Sequence, residues 1–122
     1  RDDGWRRGSG PREVLWYLAK IVPDLVRNEP RNIGLVLRIA ESERLAYMFI
    51  TDPIILAARG VGDVKGCLDQ VGHWIATIEQ NGARCLHWLP KRKSKSYYVE
   101  LSGRAIKPGR VNVGALYERL VG

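Results

Sequence analysis

The feature that most constrains the fold is an amphipathic helical pattern between residues 64 and 81. Apolar residues recur there at intervals of three and four, which is the spacing of one helix face. They are Val64, Cys67, Leu68, Val71, Trp74, Ile75 and Ile78. Asp63 is placed to cap the start of this helix and Gly82 to end it. A stripe this wide predicts a helix that covers a sheet, and Gly66 and Gly72 predict close packing against the strands.

The apolar runs outside this helix are of strand length. Three precede it, at residues 14–22, 32–40 and 45–50, and the polar "ESER" before the third predicts a hairpin. "CLHWL" (85–89) and "YYVEL" (97–101) predict two more short strands, and the Pro-Gly signal in residues 102–110 predicts a turn. Asn112 is placed to cap a closing helix. The predicted class is α+β, with a mostly antiparallel sheet of about five strands and two packed helices.

The size and composition suit one soluble domain. The chain has 122 residues, of which 45% are hydrophobic. Residues 1–12 predict a flexible arm and residues 13–122 a single domain. The two cysteines, Cys67 and Cys85, do not suggest a disulfide framework, and no apolar run reaches the ~18 residues of a membrane span. We therefore expect a cytoplasmic protein that enters no membrane.

The positive charge is concentrated in one part of the chain. The net charge is +7, and residues 84–110 hold eight basic residues and one acidic residue. The rest of the chain carries twelve of each sign, so the whole excess lies in this basic segment. Charges needed only for solubility would be spread over the surface. The concentration predicts a polyanionic partner, most simply the phosphates of DNA or RNA.

The predicted contacts lie on a hairpin tip and on the turn that follows it. "PKRKSKSYY" (residues 90–98) would form the tip between the two short strands. The predicted nucleic-acid-binding residues are Lys91, Arg92, Lys93, Lys95, Tyr97, Arg104, Lys107 and Arg110. Adjacent strand residues face opposite ways, so one of Tyr97 and Tyr98 would be core and the other could stack on bases, as could Trp88. Ordinary half-buried packing is the alternative for each ring.

Catalytic and metal signals are weak. Asp24 and Asp63, with Lys65, superficially match the acids and lysine of metal-dependent nucleases. That chemistry requires the second acid and the lysine on a strand, whereas Asp63 and Lys65 open the predicted helix. His73 and His87 form no metal-binding spacing with the cysteines, and no phosphate-binding glycine motif is present. We therefore predict no catalytic residue, no metal and no cofactor.

A polar cluster lies in the connection between the first two strands. It consists of Asp24, Arg27, Glu29, Arg31 and Asn32. Ion pairs within the cluster and hydrogen bonds from Asn32 would fix the connection, and a partner or ligand site built on Asp24, Arg27, Glu29 and Asn32 is the alternative. Gly34 directly afterwards indicates a position where a side chain would block a close approach.

The same region carries a family resemblance. "KIVPDLVRNEPRNIGLVL" resembles the opening of the uncharacterised bacterial family called domain of unknown function 3037, and "ALYERLV" resembles its closing helix. The matching residues are Lys20, Val22, Pro23, Arg27, Glu29, Asn32 and Gly34. Pro30 departs from the larger apolar residue of the family pattern. The resemblance implies a compact bacterial protein that works within a larger complex, and it implies no activity.

The sequence therefore predicts a non-catalytic accessory protein that binds the phosphate backbone of DNA or RNA through a basic hairpin, as one subunit of a larger complex. Two alternatives stay open. The first is a scaffold subunit whose basic face docks an acidic protein surface. The second is the metal-dependent nuclease built on Asp24 and Asp63. A lipid partner ranks lower, because no amphipathic helix with a cationic face accompanies the charge.

Overall fold

A four-stranded antiparallel sheet organises the chain. The computed structural model describes residues 11–23, 29–39, 43–108 and 112–122, with the backbone alone at residues 11–12 and 106–108. The strands are β1 (Pro11–Ile21), β2 (Arg31–Ile39), β3 (Ala46–Phe49) and β4 (Tyr97–Pro108), in the spatial order β3-β2-β1-β4. The sheet confirms the predicted antiparallel α+β class and the hairpin of β2 with β3.

The helices lie between and after the strands. They are α1 (Pro53–Ala58), α2 (Val64–Asn81) and α3 (Val113–Leu120), with 3₁₀ helices at Gly82–His87 and Leu89–Lys91. Asp63 caps α2 by accepting a hydrogen bond from the Gly66 amide at 3.0 Å, and Gly82, at φ +59°, ends it. Asn112 caps α3 in the same way through the Ala115 amide. These predicted caps and both long helices are confirmed.

Helix α2 covers one face of the sheet through an aromatic cluster. The Trp74 ring stacks on Phe49 of β3 at 6.0 Å between centroids and meets Tyr97 of β4 edge-on at 6.2 Å. Trp74 therefore touches both edge strands of the sheet. Helix α3 packs against β2 and β3 on the opposite face, where Asn32, the partner of Lys20 in the sheet, donates to the Leu120 carbonyl. Strand β1 is consequently buried on both sides, and Tyr17, Leu18 and Ala19 are all in the core.

The structure corrects several sequence predictions. The segment 85–89 is not a strand, since the 3₁₀ helices occupy it. The described residues therefore form a sheet of four strands rather than about five. Strand β4 continues through residues 102–108, where a turn was predicted. Its register with β1 shifts at Ser102, which has no partner residue on β1. Strand β1 begins at Pro11, inside the predicted arm. Helix α1, whose Asp52 cap and Pro53 start are visible in the sequence, was missed.

The glycines also differ from expectation. A side chain at Gly34 would overlap the Phe49 ring, so the close approach predicted there is made by an aromatic side chain. A side chain at Gly66 would meet the Asp63 carboxylate, and one at Gly72 would meet open space. Neither helical glycine is needed for packing against the strands.

Substitution of these glycines should change stability in opposite directions. Gly34→Ala forces the Phe49 ring away from β2, and we expect the free energy of unfolding to fall by about 1–3 kcal/mol. Gly72→Ala, the matched control, should raise it by about 0.5–1 kcal/mol because alanine favours an exposed helix position. Urea unfolding of both variants measures the difference. A Gly34→Ala protein as stable as the wild type would contradict this packing.

Candidate functional site

The basic turn, residues 91–95, is held at both ends by the fold. Before it, the buried side chain of Leu89 anchors the second 3₁₀ helix, and the Arg92 amide donates to the Leu89 carbonyl at 3.1 Å. After it, the Ser94 amide donates to the Tyr97 carbonyl, and the Tyr97 amide donates to Ser94 Oγ at 2.9 Å. The Ser96 carbonyl accepts from the Val22 amide next to β1. The turn therefore has a defined conformation on the sheet.

Two cations of the turn lie over aromatic rings. The guanidinium carbon of Arg92 is 4.2 Å from the centroid of Trp88, and Lys93 Nζ is 5.5 Å from the centroid of Tyr98. Both distances are within the range of cation–π attraction. Lys91 and Lys95 are exposed as well. The turn thus presents four positive charges, two of them positioned by rings.

The acidic residues of the described chain do not neutralise this turn. Glu100 pairs with Lys20 of β1 at 2.6 Å, and Glu13 pairs with Arg104 at 2.8 Å. Within the described ranges, no carboxylate forms an ion pair with any of the four cations of the basic turn. The charge is therefore left facing solvent, where like charges repel one another.

The two tyrosines after the turn lie on opposite faces of β4. Tyr97 is opposite Ile21 and its ring meets Trp74 on the α2 side, where burial raises the pKa of its hydroxyl. Tyr98 is opposite Lys20, on the other face, beside Lys93. The predicted alternation is confirmed. Tyr97, which was predicted from the sequence to be a contact residue, packs towards the core. Tyr98 is the tyrosine whose ring lies beside Lys93 of the basic turn.

The predicted contact residues farther along β4 are distant from the turn. Strand β4 is continuous from Tyr97 to Pro108, so Arg104, seven residues along, is roughly 23 Å from Tyr97 at about 3.3 Å per residue. The backbone of Lys107 is farther still, and Arg110 lies outside the described residues. Arg104 is also paired with Glu13. The predicted hairpin tip at Lys91–Lys95 is wrong, because 3₁₀ helices replace the strand expected before it. The separate turn predicted to hold Arg104 is wrong as well, because strand β4 runs through that position.

The polar cluster of residues 24–32 is described only in part. Asp24 and Arg27 lie outside the described residues, and Glu29 is exposed. Asn32 donates from Nδ2 to the Leu120 carbonyl at 2.9 Å, so this amide holds the end of α3 against β2. The grouping of Asp24, Arg27, Glu29 and Asn32 as a partner site stays a prediction.

A second residue, missed from the sequence, holds the same helix end. Arg59 donates to the carbonyls of Val121 and Gly122, the latter at 3.1 Å. The last backbone carbonyls of a helix have no hydrogen-bond donor within the helix. Asn32 and Arg59 provide donors to these carbonyls from elsewhere in the chain. A groove of about 650 Å³ lies here, lined by residues 30–32, 58–60 and 120–122. Two of its polar side chains, Asn32 and Arg59, are engaged in holding the end of α3.

The acidic residue proposed for metal chemistry has a structural role. The Asp63 carboxylate accepts a hydrogen bond from the Gly66 amide and caps α2, as its position before the helix predicts. Among the described residues, no three or more His, Cys, Asp or Glu side chains are grouped so as to hold a metal ion. Cys67 and Cys85 are free and buried, and burial raises the pKa of both thiols. In the same ranges, no helix is both long and apolar enough to span a membrane.

Comparison with known proteins gives no assignment: no family model matches the chain, and neither the curated proteins nor the solved structures include a significant match. The resemblance to domain of unknown function 3037 stays a prediction.

The bond from Asn32 to α3 makes a testable structural prediction. Asn32→Ala leaves the Leu120 carbonyl without its donor, and the free energy of unfolding should fall by about 1–2 kcal/mol. Amide hydrogen exchange should be faster in the last turn of α3, and at Val121 directly after it, than in the wild type. The adjacent Arg31→Ala, which removes an exposed side chain, is the control. The assigned role of Asn32 would be wrong if both variants lost the same free energy of unfolding and their α3 amides exchanged at the same rate.

Proposed function

We propose that this protein binds nucleic acid without catalysing a reaction and contacts the phosphate backbone through the basic turn. The main supporting observation is that the positive charge of the turn is exposed and is not neutralised by any described carboxylate. Four exposed cations occur within residues 91–95, the hydrogen bonds of Ser94 and Ser96 fix their backbone, and no described carboxylate neutralises them. Such an arrangement contributes little to folding and is stabilised by an anion that lies across it.

Phosphates suit this turn because their binding releases condensed counterions. Each phosphate neutralised by a lysine or arginine contributes about −0.7 to −0.9 to the slope of log affinity against log salt concentration. Four contacts therefore imply a slope of roughly −3 and non-specific affinity in the micromolar range or weaker. A turn of this size reads no base sequence through these charges. The proposed footprint excludes Arg104, whose charge is paired with Glu13.

The proposal retains the role of an accessory subunit in a larger, bacterial, cytoplasmic complex, as the family resemblance implies. A second candidate function is the docking of a partner protein, and one observation favours it. Ile54 and Ile55 on α1 are 78% and 43% exposed, and adjacent exposed isoleucines are typical of a protein contact. The two functions are compatible, because α1 and the basic turn share no residue. An acidic protein surface docking on the turn itself is the competing interpretation.

The test is a salt titration with a charge-matched control. Binding of a fluorescent 20-nucleotide strand is followed by anisotropy between roughly 50 and 300 mM salt, where counterion release is readily resolved. Lys91→Gln with Lys95→Gln should weaken binding at least about tenfold near 100 mM salt and reduce the slope by about 1.5. Lys65→Gln with Arg119→Gln removes the same charge from exposed positions on α2 and α3, and should change affinity less than about twofold.

Three outcomes would contradict the proposal. The first is the absence of binding even at low salt. The second is equal weakening by the two double variants, which would mean that net charge rather than the turn is responsible. The third is equally tight binding of a polyglutamate peptide of matched charge, which would favour an acidic protein partner.

A further inference from the structure

We propose that the nucleic acid held by the basic turn is single-stranded, and that one of its bases stacks on Tyr98. This inference rests on the proposed function and deepens it. The turn does not only display charge: it places consecutive cations, Arg92 and Lys93, over two separate rings, Trp88 and Tyr98. A contact surface for phosphates alone requires no rings, whereas stacking of unpaired bases does.

The position of Tyr98 leaves its ring accessible to a base. The residue lies on β4, which among the described strands pairs with β1 alone, and on the face opposite α2. Helix α3, on that same side, packs against β2 and β3, at the other half of the sheet. The Tyr98 side chain is only half-buried. The ring therefore stands at the margin of the sheet next to solvent, with the basic turn immediately beside it.

The charges around Tyr98 define where a strand would run. On one side is Lys93, whose ammonium is 5.5 Å from the ring centroid. On the other side is Glu100, already neutralised by Lys20 at 2.6 Å. A phosphate is attracted to the positive charge of Lys93 and has no net attraction to the neutralised Lys20–Glu100 pair. When Lys93 turns to that phosphate, the face of the ring that it covered is free to receive the attached base.

The shape of the turn also favours a single strand over a duplex. The major groove of B-form DNA admits an α-helix or a two-stranded ribbon. Residues 91–95 form neither of these, because the short 3₁₀ helix ends at Lys91 and a turn follows it. In a duplex the bases are stacked on one another, so Trp88 and Tyr98 would find no exposed base face. An unpaired strand offers phosphates to Lys91 and Lys95 and a base face to each ring.

The decisive experiment uses the unaltered protein and three oligonucleotides of one length: a base-bearing single strand, the same strand made abasic, and the duplex. Stacking of one base contributes about 5- to 150-fold in affinity. We therefore expect the base-bearing strand to bind at least about tenfold more tightly than the abasic strand at equal salt, and more tightly than the duplex. Equal affinity for the abasic and base-bearing strands would overturn the stacking proposal while leaving phosphate binding intact.

Variants then locate the base. Tyr98→Leu keeps an apolar side chain but removes the ring, and should weaken single-strand binding about tenfold with less than about twofold effect on the abasic strand. Tyr98→Phe keeps the ring and should bind like the wild type, which separates stacking from a role of the hydroxyl. An undiminished preference for the base-bearing strand in Tyr98→Leu would overturn the assignment to Tyr98. Failure of all three oligonucleotides to bind would instead reject the proposed function.

Discussion

The two-sided burial of β1 is the constraint on which the rest of the structure depends. This strand pairs with β2 along one edge and with β4 along the other, over nearly its whole length. Because Tyr17 faces one side and Leu18 the other, β1 can be stable only if helices or large side chains cover both faces of the sheet. Its pairing with β4 places Tyr98 opposite Lys20, and the bond from Val22 to Ser96 fixes the end of the turn. The core thus determines where the charge is displayed.

The basic turn is unfavourable by itself, and the fold compensates by fixing its backbone. Four like charges within residues 91–95 repel one another, so an unrestrained loop would spread them apart. Buried Leu89 on one side and the reciprocal bonds of Ser94 with Tyr97 on the other restrain both ends. The rings of Trp88 and Tyr98 then hold two of the cations by cation–π attraction. A preorganised cationic surface of this kind loses less conformational entropy when an anion binds.

The regular elements could be predicted from the sequence because their signals are local. Periodicity and the Asp63 cap defined α2, and apolar runs defined the first three strands. The prediction failed at residues 85–89 because Cys85 and Leu89, both buried, are four residues apart. That spacing fits one face of a helical turn as well as one face of a strand. Strand β4 was cut short because Ser102, Gly103 and Pro108 are residues typical of turns.

The sequence was sufficient to predict a cluster of positive charge, but not the positions of its side chains in the fold. The composition of residues 84–110 located the excess charge, yet it could not show that Arg104 lies at the far end of a long strand and pairs with Glu13. The alternation of strand residues showed that Tyr97 and Tyr98 face opposite ways without showing which one faces α2. Arg59 had no signal at all, since its acceptors are backbone carbonyls more than 60 positions later.

In the proposed function, the position of the unneutralised turn, rather than the total charge of the chain, determines where nucleic acid binds. The most direct test is an amide chemical-shift map of the isotopically labelled protein during titration with a short single-stranded oligonucleotide. We expect the largest shift changes in residues 88–98 and at neighbouring Lys20, with little change at Arg104 or along α2. Largest changes at the far end of β4, or small changes distributed evenly over all exposed basic residues, would contradict it.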